Sequence, residues 1–260
     1  MSPSDLLLRE TLGPITRLTL NRPTAYNALS LALMERLIDT LDQLADDRSV
    51  QVIILRGAGR GFCAGHDLKE LTEGADAALQ ARTFTTCSTL MMKVSAVPQP
   101  VIAEVHGIAT AAGCQLVASC DLAISSNDAR FATPGVNIGL FCSTPMVALT
   151  RTIAPKHAME MLLTGDMIDA QRAYAMGLVN RTVAGEQLEA TTLALAGQLA
   201  AKSSATLAIG KAAFYTQQNQ SLSDAYAHCS EVMCCNIQSE DAREGIEAFL
   251  TKREPQWKGR

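Results

Sequence analysis

The sequence predicts an α/β fold with a helical C-terminal region. In the first part of the chain, short apolar runs that can form strands alternate with amphipathic stretches that can form helices. Over 186–249 the pattern is helical alone, with breaks near 203–204 and 219–220. We therefore expect a core over 1–185 and a helical region over 186–260. A chain of 260 residues can bury a substantial core without disulfides or metals.

The elements of the core follow in order. Alternation over 15–20 predicts a first strand, and Pro23 ends it because proline cannot continue a ladder. Ser30 is a candidate N-cap, and leucines at helical spacing after it predict a helix. The continuous apolar run over 52–55 is typical of a strand that is covered on both faces. Further expected elements are a helix over 77–94, strands at 101–103 and 122–124, and a last strand near 178–179.

The composition narrows the class of partner. A hydrophobic fraction of 48% with 18% charged residues is that of an ordinary globular protein. A net charge of −4 argues against nucleic acid, whose phosphates need a basic surface. No apolar run approaches the length of a membrane span, so we expect no membrane partner.

The cysteines indicate a reducing compartment. There are eight, none in a C-x-x-C pair, and most have apolar neighbours. Their spacing does not suit zinc, so we expect no metal. The first twelve residues contain no apolar signal-peptide region, and we expect a cytoplasmic location.

Two turns of small residues carry the functional information. A-G-H-D-L at 64–68 and A-A-G-C-Q-L at 111–116 each lead into a predicted helix. Such turns leave backbone N–H groups unpaired, and two that converge would form an oxyanion hole. Together with R-P-T-A-Y-N-A-L at 22–29, these segments resemble the enoyl-CoA hydratase/isomerase (crotonase) superfamily.

The resemblance covers nearly the whole chain and implies a fold, a ligand and an assembly. The fold would be the crotonase-type spiral of ββα turns with a C-terminal helical trimerisation region. The ligand would be an acyl-CoA thioester, with no separate cofactor, and the assembly a homotrimer or hexamer. The oxyanion donors would be the backbone N–H groups of His66 and Ala112.

The same resemblance implies a set of substrate-binding residues. These are Arg22, Thr24, Ala25, Ala28, Ala64, Asp67, Leu68, Gly113, Pro134, Asn137, Phe141, Cys142, Ser143, Phe249 and Lys252.

Several of these residues have a second interpretation. The segment that begins at Arg22 could be an ordinary strand-to-helix loop. The His66 side chain could transfer protons or could simply pack. Cys142 and Ser143 could be nucleophiles, although pocket lining is favoured because no partner is assignable. Lys252 could reach a CoA phosphate or could be solvated.

The catalytic positions lack acids. Hydratases of the family carry glutamates at the positions of Gln115 and Gly135, and some relatives carry an aspartate at the position of Ser143. An amide cannot exchange protons near neutral pH, and each general acid or base contributes about 10²–10⁴-fold. We therefore expect weak hydration or a different acyl-CoA reaction. A non-catalytic acyl-CoA binder and a thioester hydrolase remain alternatives.

The missing carboxylates are shared with one subgroup of the superfamily. T-A-A-G-C-Q-L at 110–116, F-A-T-P-G at 131–135 and G-L-F-C-S-T-P at 139–145 resemble the enoyl-CoA hydratase domain-containing protein 3 subgroup. The resemblance implies that these departures are a subgroup character.

Overall fold

A computed structural model describes residues 6–74 and 76–260. The strands in these ranges form a six-stranded sheet and a three-stranded sheet. Their bounds are β1 Leu7–Leu12, β2 Ile15–Leu20, β3 Val52–Gly57, β4 Val101–Val105, β5 Ile108–Thr110, β6 Leu122–Ser126, β7 Arg130–Ala132, β8 Ile168–Asp169 and β9 Arg181–Val183.

The helices fall between the strands and then follow them. Their bounds are α1 Leu31–Ala45, α2 Leu68–Thr72, α3 Ala77–Ala96, α4 Ala112–Ser119, α5 Ser143–Thr152, α6 Pro155–Thr164, α7 Ala170–Met176, α8 Leu188–Ala200, α9 Ser204–Gln217, α10 Leu222–Asn236 and α11 Glu240–Thr251. Within the described ranges none of them combines the length and the apolar character needed to cross a membrane.

The larger sheet has the order β1-β2-β3-β4-β6-β9, and the smaller one has the order β5-β7-β8. β1 and β2 are an antiparallel hairpin that turns at Gly13, where φ is +62°. From β2 to β9 the strands pair in parallel. Parallel strands need long crossovers, and these crossovers carry the helices and the turns of the site.

Both faces of the larger sheet are covered. One face packs against a large apolar cluster that includes Leu37 of α1 and Leu90 of α3. The other face carries Val52 and Ile54, which pack with Leu195 of α8. The continuous apolar run of β3 follows from this double burial, as predicted.

Most predicted elements are confirmed, and one strand was misplaced. The final strand is Arg181–Val183 rather than 178–179. Leu178 and Val179 are buried at 3% exposure just after α7, so their apolar character serves packing and not a ladder. β1 and the smaller sheet were not predicted.

The C-terminal helices differ in how they join the core. α8 buries Leu188, Thr192, Leu195 and Ala196, whereas α9 and α10 bury none of their own residues. α9 is attached by polar contacts: Lys211 Nζ donates to Asp121 Oδ2 at 2.7 Å, and Tyr215 Oη donates to Asp121 Oδ1 at 2.9 Å. The division at 185/186 into two regions stays a prediction.

Candidate active site

The segment over 22–29 is organised by a buried asparagine. Asn27 is fully buried in a left-handed conformation, with φ at 55°. Its Nδ2 donates to the carbonyls of Ala58 and Gly61, both at 2.8 Å, and its Oδ1 accepts from Arg22 N at 2.9 Å. These bonds fasten the segment to the loop that leads into the first turn of the site.

Arg22 and Asp67, both expected to bind substrate, are paired with each other. Arg22 Nη2 donates to Asp67 Oδ2 at 2.7 Å, and Arg22 Nη1 donates to the Ala28 carbonyl at 2.6 Å. Asp67 also caps the N-terminus of α2. Burial alone would raise the pKa of Asp67, but the Arg22 hydrogen bond and charge, with the α2 N–H groups, hold it below its usual value. This pair holds the first turn in place.

The two turns of small residues lie against each other. Thr110 N donates to the Cys63 carbonyl at 2.9 Å, and Thr110 Oγ1 donates to the Ala64 carbonyl at 3.0 Å. Gly65 has φ at +100°, and a Cβ there would lie 2.9 Å from Ala111 Cβ and 3.4 Å from Ala112 N. The turns therefore meet at backbone distance, as the interpretation as an oxyanion hole requires.

The close approach of the two turns also explains why residue 113 is a glycine. A Cβ at this position would overlap the Cys63 carbonyl oxygen. Only glycine allows the start of α4 to pack this tightly on the first turn.

The two expected donors are free. Within residues 6–74 and 76–260, neither His66 N–H nor Ala112 N–H has an acceptor. Ala112 is the first residue of α4, so its N–H lies at the positive end of the helix dipole. An oxygen that gains negative charge between these turns would be stabilised by both groups.

Ala111 is strained at the entry to α4. It has φ at 49° and ψ at −118°, a backbone conformation that favours glycine. Its N–H donates to the Ala132 carbonyl at 2.9 Å, and this bond helps to hold the turn.

The His66 side chain is neutral and poorly placed for proton transfer. Its ring packs edge-on against Phe84 of α3, with the ring centroids 5.3 Å apart. Nε2 is buried and has no hydrogen-bond partner within the described part of the chain. Burial lowers the pKa of His66 to about 4. These observations favour packing as the role of the His66 side chain.

Gln115 is 3% exposed and lies one turn into α4. Its Oε1 accepts from the Cys87 thiol of α3 at 3.9 Å. Its Nε2 has no acceptor within the ranges that the structure describes. Burial raises the pKa of Cys87 to about 12, so the thiol stays protonated and remains a donor.

Gly135 has no room for any side chain. A Cβ there would overlap the Leu140 carbonyl oxygen and would lie 2.8 Å from Cys142 Sγ. The overlap follows from the tight turn in which Leu140 N donates to the Gly135 carbonyl at 2.9 Å. The main chain therefore closes this position to a carboxylate.

The segment after Gly135 is partly exposed at the surface. Pro134 begins a short 3-10 helix, and Phe141 is 38% exposed. Asn137 is exposed, and its side-chain amide lies beside Gly165 at the end of α6. The structure therefore places the Asn137 amide against α6.

The surroundings of Cys142 and Ser143 do not favour a nucleophilic role. Cys142 is buried, and burial raises its pKa. Ser143 Oγ donates to the Phe141 carbonyl at 3.4 Å and has no base beside it among the described residues.

The remaining predicted contacts divide between the turns and the C-terminal helices. Beside the turns, Ala28 is buried, whereas Thr24 and Leu68 are exposed and Ala25 and Ala64 are half-buried.

Phe249 lies on α11 and is 82% exposed. It lines a groove of about 710 Å³ between α9, α10 and α11 that Met233 and Trp257 also line. Lys252 ends α11 in a left-handed conformation. The structure places this pair at the C-terminal groove.

The contribution of α3 to the site was not predicted from the sequence. Phe84 and Cys87 lie three residues apart on this helix and contact His66 and Gln115 respectively. Their helical spacing was the available signal, but it is equally typical of a core face.

The comparison with known proteins decides the family. The family model for enoyl-CoA hydratase/isomerase matches residues 10–260. The chain belongs to this family. A relative from Danio rerio, named enoyl-CoA hydratase domain-containing protein 3, mitochondrial, is 48% identical, with 98% of this chain and 88% of the relative covered.

Solved structures of the enoyl-CoA hydratase/isomerase family confirm the crotonase fold. An enoyl-CoA hydratase from Mycobacterium smegmatis matches with a TM-score of 0.95 and 47% identity, over 97% of this chain and 98% of that one. Human enoyl-CoA hydratase domain-containing protein 3 matches with a TM-score of 0.94 and 46% identity, over 97% and 100%. The resemblance to this subgroup is thereby confirmed.

The expected cytoplasmic location was wrong. The zebrafish, mouse and human relatives of this subgroup are all named as mitochondrial. Cysteine usage indicates only a reducing environment, and it could not distinguish one such compartment from another.

Proposed function

We propose that this protein binds acyl-CoA thioesters and polarises the thioester carbonyl between the backbone N–H groups of His66 and Ala112. The observation that carries the proposal is the meeting of two turns whose N–H groups have no acceptor in the described ranges. Donors placed in this way stabilise the oxyanion or enolate that forms when a thioester reacts.

Hydration of enoyl-CoA is expected to be weak. Of the two positions at which hydratases of the family carry glutamates, one holds the amide of Gln115 and the other is closed at Gly135. Without the pair of carboxylates, we expect turnover of crotonyl-CoA at least about 10³-fold below that of a relative that carries both.

Mass spectrometry of a small acyl-CoA panel tests the proposal. Hydration would add water to the acyl chain, hydrolysis would release free CoA, and a pure binder would change neither. Calorimetry with an unreactive acyl-CoA and with the corresponding free acid measures binding. No heat and no protection at millimolar ligand would contradict the proposal.

Replacement of Gln115 tests the reason for weak hydration. We expect Gln115→Glu to raise crotonyl-CoA hydration only slightly, because a single carboxylate lacks its partner. Gly135→Glu should unfold or distort the turn at Leu140 rather than supply that partner. Efficient hydration by the wild type, lost in Cys142→Ala, would instead identify a proton carrier among the residues assigned to packing.

A further inference from the structure

We propose that Gln115 selects acyl-CoA ligands with a second carbonyl oxygen next to the thioester, as in a 3-oxoacyl-CoA, by donating a hydrogen bond from Nε2 to that oxygen. The inference rests on the proposed function, because it takes the thioester oxygen to lie at the N–H groups of His66 and Ala112. It makes Gln115 a specificity-determining residue.

The first support is an amide donor without an acceptor on a residue that is almost fully buried. Gln115 is 3% exposed, and its Oε1 is occupied by the thiol of Cys87 at 3.9 Å. Its Nε2 has no acceptor in the described part of the chain. Buried polar groups are nearly always paired, with protein, water or ligand. A ligand oxygen would satisfy this donor, whereas a plain alkyl or alkenyl chain would leave it unpaired.

The second support is the position of Gln115 on α4. It lies three residues after Ala112, and residues three apart share one face of a helix. Helical side chains also lean toward the N-terminus, which directs Gln115 toward the turn that carries the Ala112 N–H. In a 3-oxoacyl thioester one methylene separates the two carbonyl carbons, so its oxygens can reach neighbouring donors.

The third support is the way in which α3 holds this amide. Cys87 is fully buried, and burial raises the pKa of its thiol to about 12, so the thiol donates at neutral pH. With Oε1 bound to this thiol, Nε2 is the amide atom left for a ligand. One turn earlier on α3, Phe84 packs on the ring of His66, whose Nε2 is buried and has no partner in the described ranges. We therefore assign Cys87 as a positioning residue.

Calorimetry with two ligands of equal chain length tests the assignment. We expect the wild type to bind 3-oxobutyryl-CoA at least about fivefold more tightly than butyryl-CoA, as one additional hydrogen bond would give. Gln115→Met removes both amide groups at similar size, and Gln115→Glu offers only acceptors at neutral pH. In each variant the ratio of the two affinities should fall to about one.

Cys87 supplies the matched pair of variants. Cys87→Ala should lower the affinity ratio, because Oε1 loses its donor, and Cys87→Ser should restore it with a hydroxyl donor. Failure of Cys87→Ser to restore the ratio would overturn the positioning role. Thermal unfolding of each variant confirms that the compared proteins are folded.

The outcomes separate this inference from the proposed function. Absence of binding to either ligand would refute the proposed function. Two outcomes would overturn the selection by Gln115 and leave the proposed function standing. One is equal binding of both ligands by the wild type, and the other is a preference that persists in both Gln115 variants. A preference that persists in both variants would mean that the 3-oxo ligand gains its affinity by enolising at the N–H groups of His66 and Ala112.

Discussion

Ala111 holds the turn before α4 at a backbone cost. With φ at 49° and ψ at −118°, its Cβ is crowded against its own main chain. We expect Ala111→Gly to raise the free energy of unfolding by about 1 kcal/mol, since relief of strain outweighs the added flexibility of the unfolded chain. Urea denaturation measures the change.

Ala212→Gly is the control for this substitution. Ala212 is exposed in the middle of α9, where glycine should lower stability by about 1 kcal/mol. If both substitutions lower the free energy of unfolding, Ala111 is not strained.

His66 should make stability depend on pH. Its pKa is about 4 in the folded protein because the ring is buried, whereas that of an unfolded chain lies near 6.5. Between these values only the unfolded chain takes up the proton. The stability that neutral His66 contributes is therefore fully present above pH 6.5 and is lost as the pH falls through 4, by about 3 kcal/mol in all.

The difference between wild type and His66→Asn isolates this effect from other titrating groups. Stability of the wild type should fall more steeply with acid than that of the variant. His157→Asn, at an exposed position in α6, controls for the loss of an imidazole as such. Parallel curves for the wild type and His66→Asn would contradict the assignment.

At the level of elements, α9 depends on an ion pair whose two side chains are mostly buried. The side chains of Lys211 and Asp121 are 8% and 16% exposed, and Lys211 Nζ also donates to the carbonyls of Val94 and Gln99. Burial lowers the pKa of Lys211, and the charge of Asp121 partly offsets this. We expect Asp121→Ala to lower stability by about 3 kcal/mol or more, because it leaves the ammonium buried without its counter-charge.

A double-mutant cycle with Lys211→Met measures the coupling by chemical denaturation. The exposed pair of Arg172 and Glu160 is the control, and its loss should cost less than about 1 kcal/mol. Equal costs for the two pairs would mean that α9 is held by other contacts.

The sequence predicts those elements whose pattern has one meaning. The leucines of α1 and the apolar run of β3 are buried where the periodicity puts them. The pair at 178–179 fails because a short apolar run suits a packed turn as well as a strand. β1 alternates poorly, since four consecutive residues of this edge strand are exposed.

The features of the candidate site also fall into those that the sequence predicts and those that it does not. Gly65 and the start of α4 are visible in sequence because close backbone approach demands small residues. The pairing of Arg22 with Asp67, the thiol of Cys87 and the closed position at Gly135 depend on contacts between distant segments. No local sequence pattern indicates contacts between segments that are distant in the chain.

At the scale of the whole molecule, the C-terminal helices present an apolar surface. Leu222, Tyr226 and Met233 lie at helical spacing on α10, Ile237 follows directly at its C-cap, and the four are 54% to 76% exposed. Phe249 and Leu250 of α11 are 82% and 73% exposed. Patches of this kind mark interaction sites, and we expect them to form the trimer or hexamer interface that the fold resemblance implies.

Light scattering of a charged variant tests the assembly. Tyr226→Glu with Met233→Glu should give a folded monomer, because both side chains are exposed in the single chain. Glu231→Gln, on the opposite face of α10, should leave the assembly intact. A wild-type protein that is monomeric at micromolar concentration would refute the interface.

The closed turn at Gly135 restricts the substitutions that residue 135 can accept. Because the Leu140 carbonyl occupies the space of any Cβ, a mutation to an acidic residue lowers stability before it can supply a proton carrier. A single acidic substitution at residue 135 is therefore expected to lower stability without adding a useful carboxylate. Saturation libraries at this codon should return only glycine among folded variants, whereas transplanting the whole segment 134–142 from a hydratase moves the carbonyl together with the side chain.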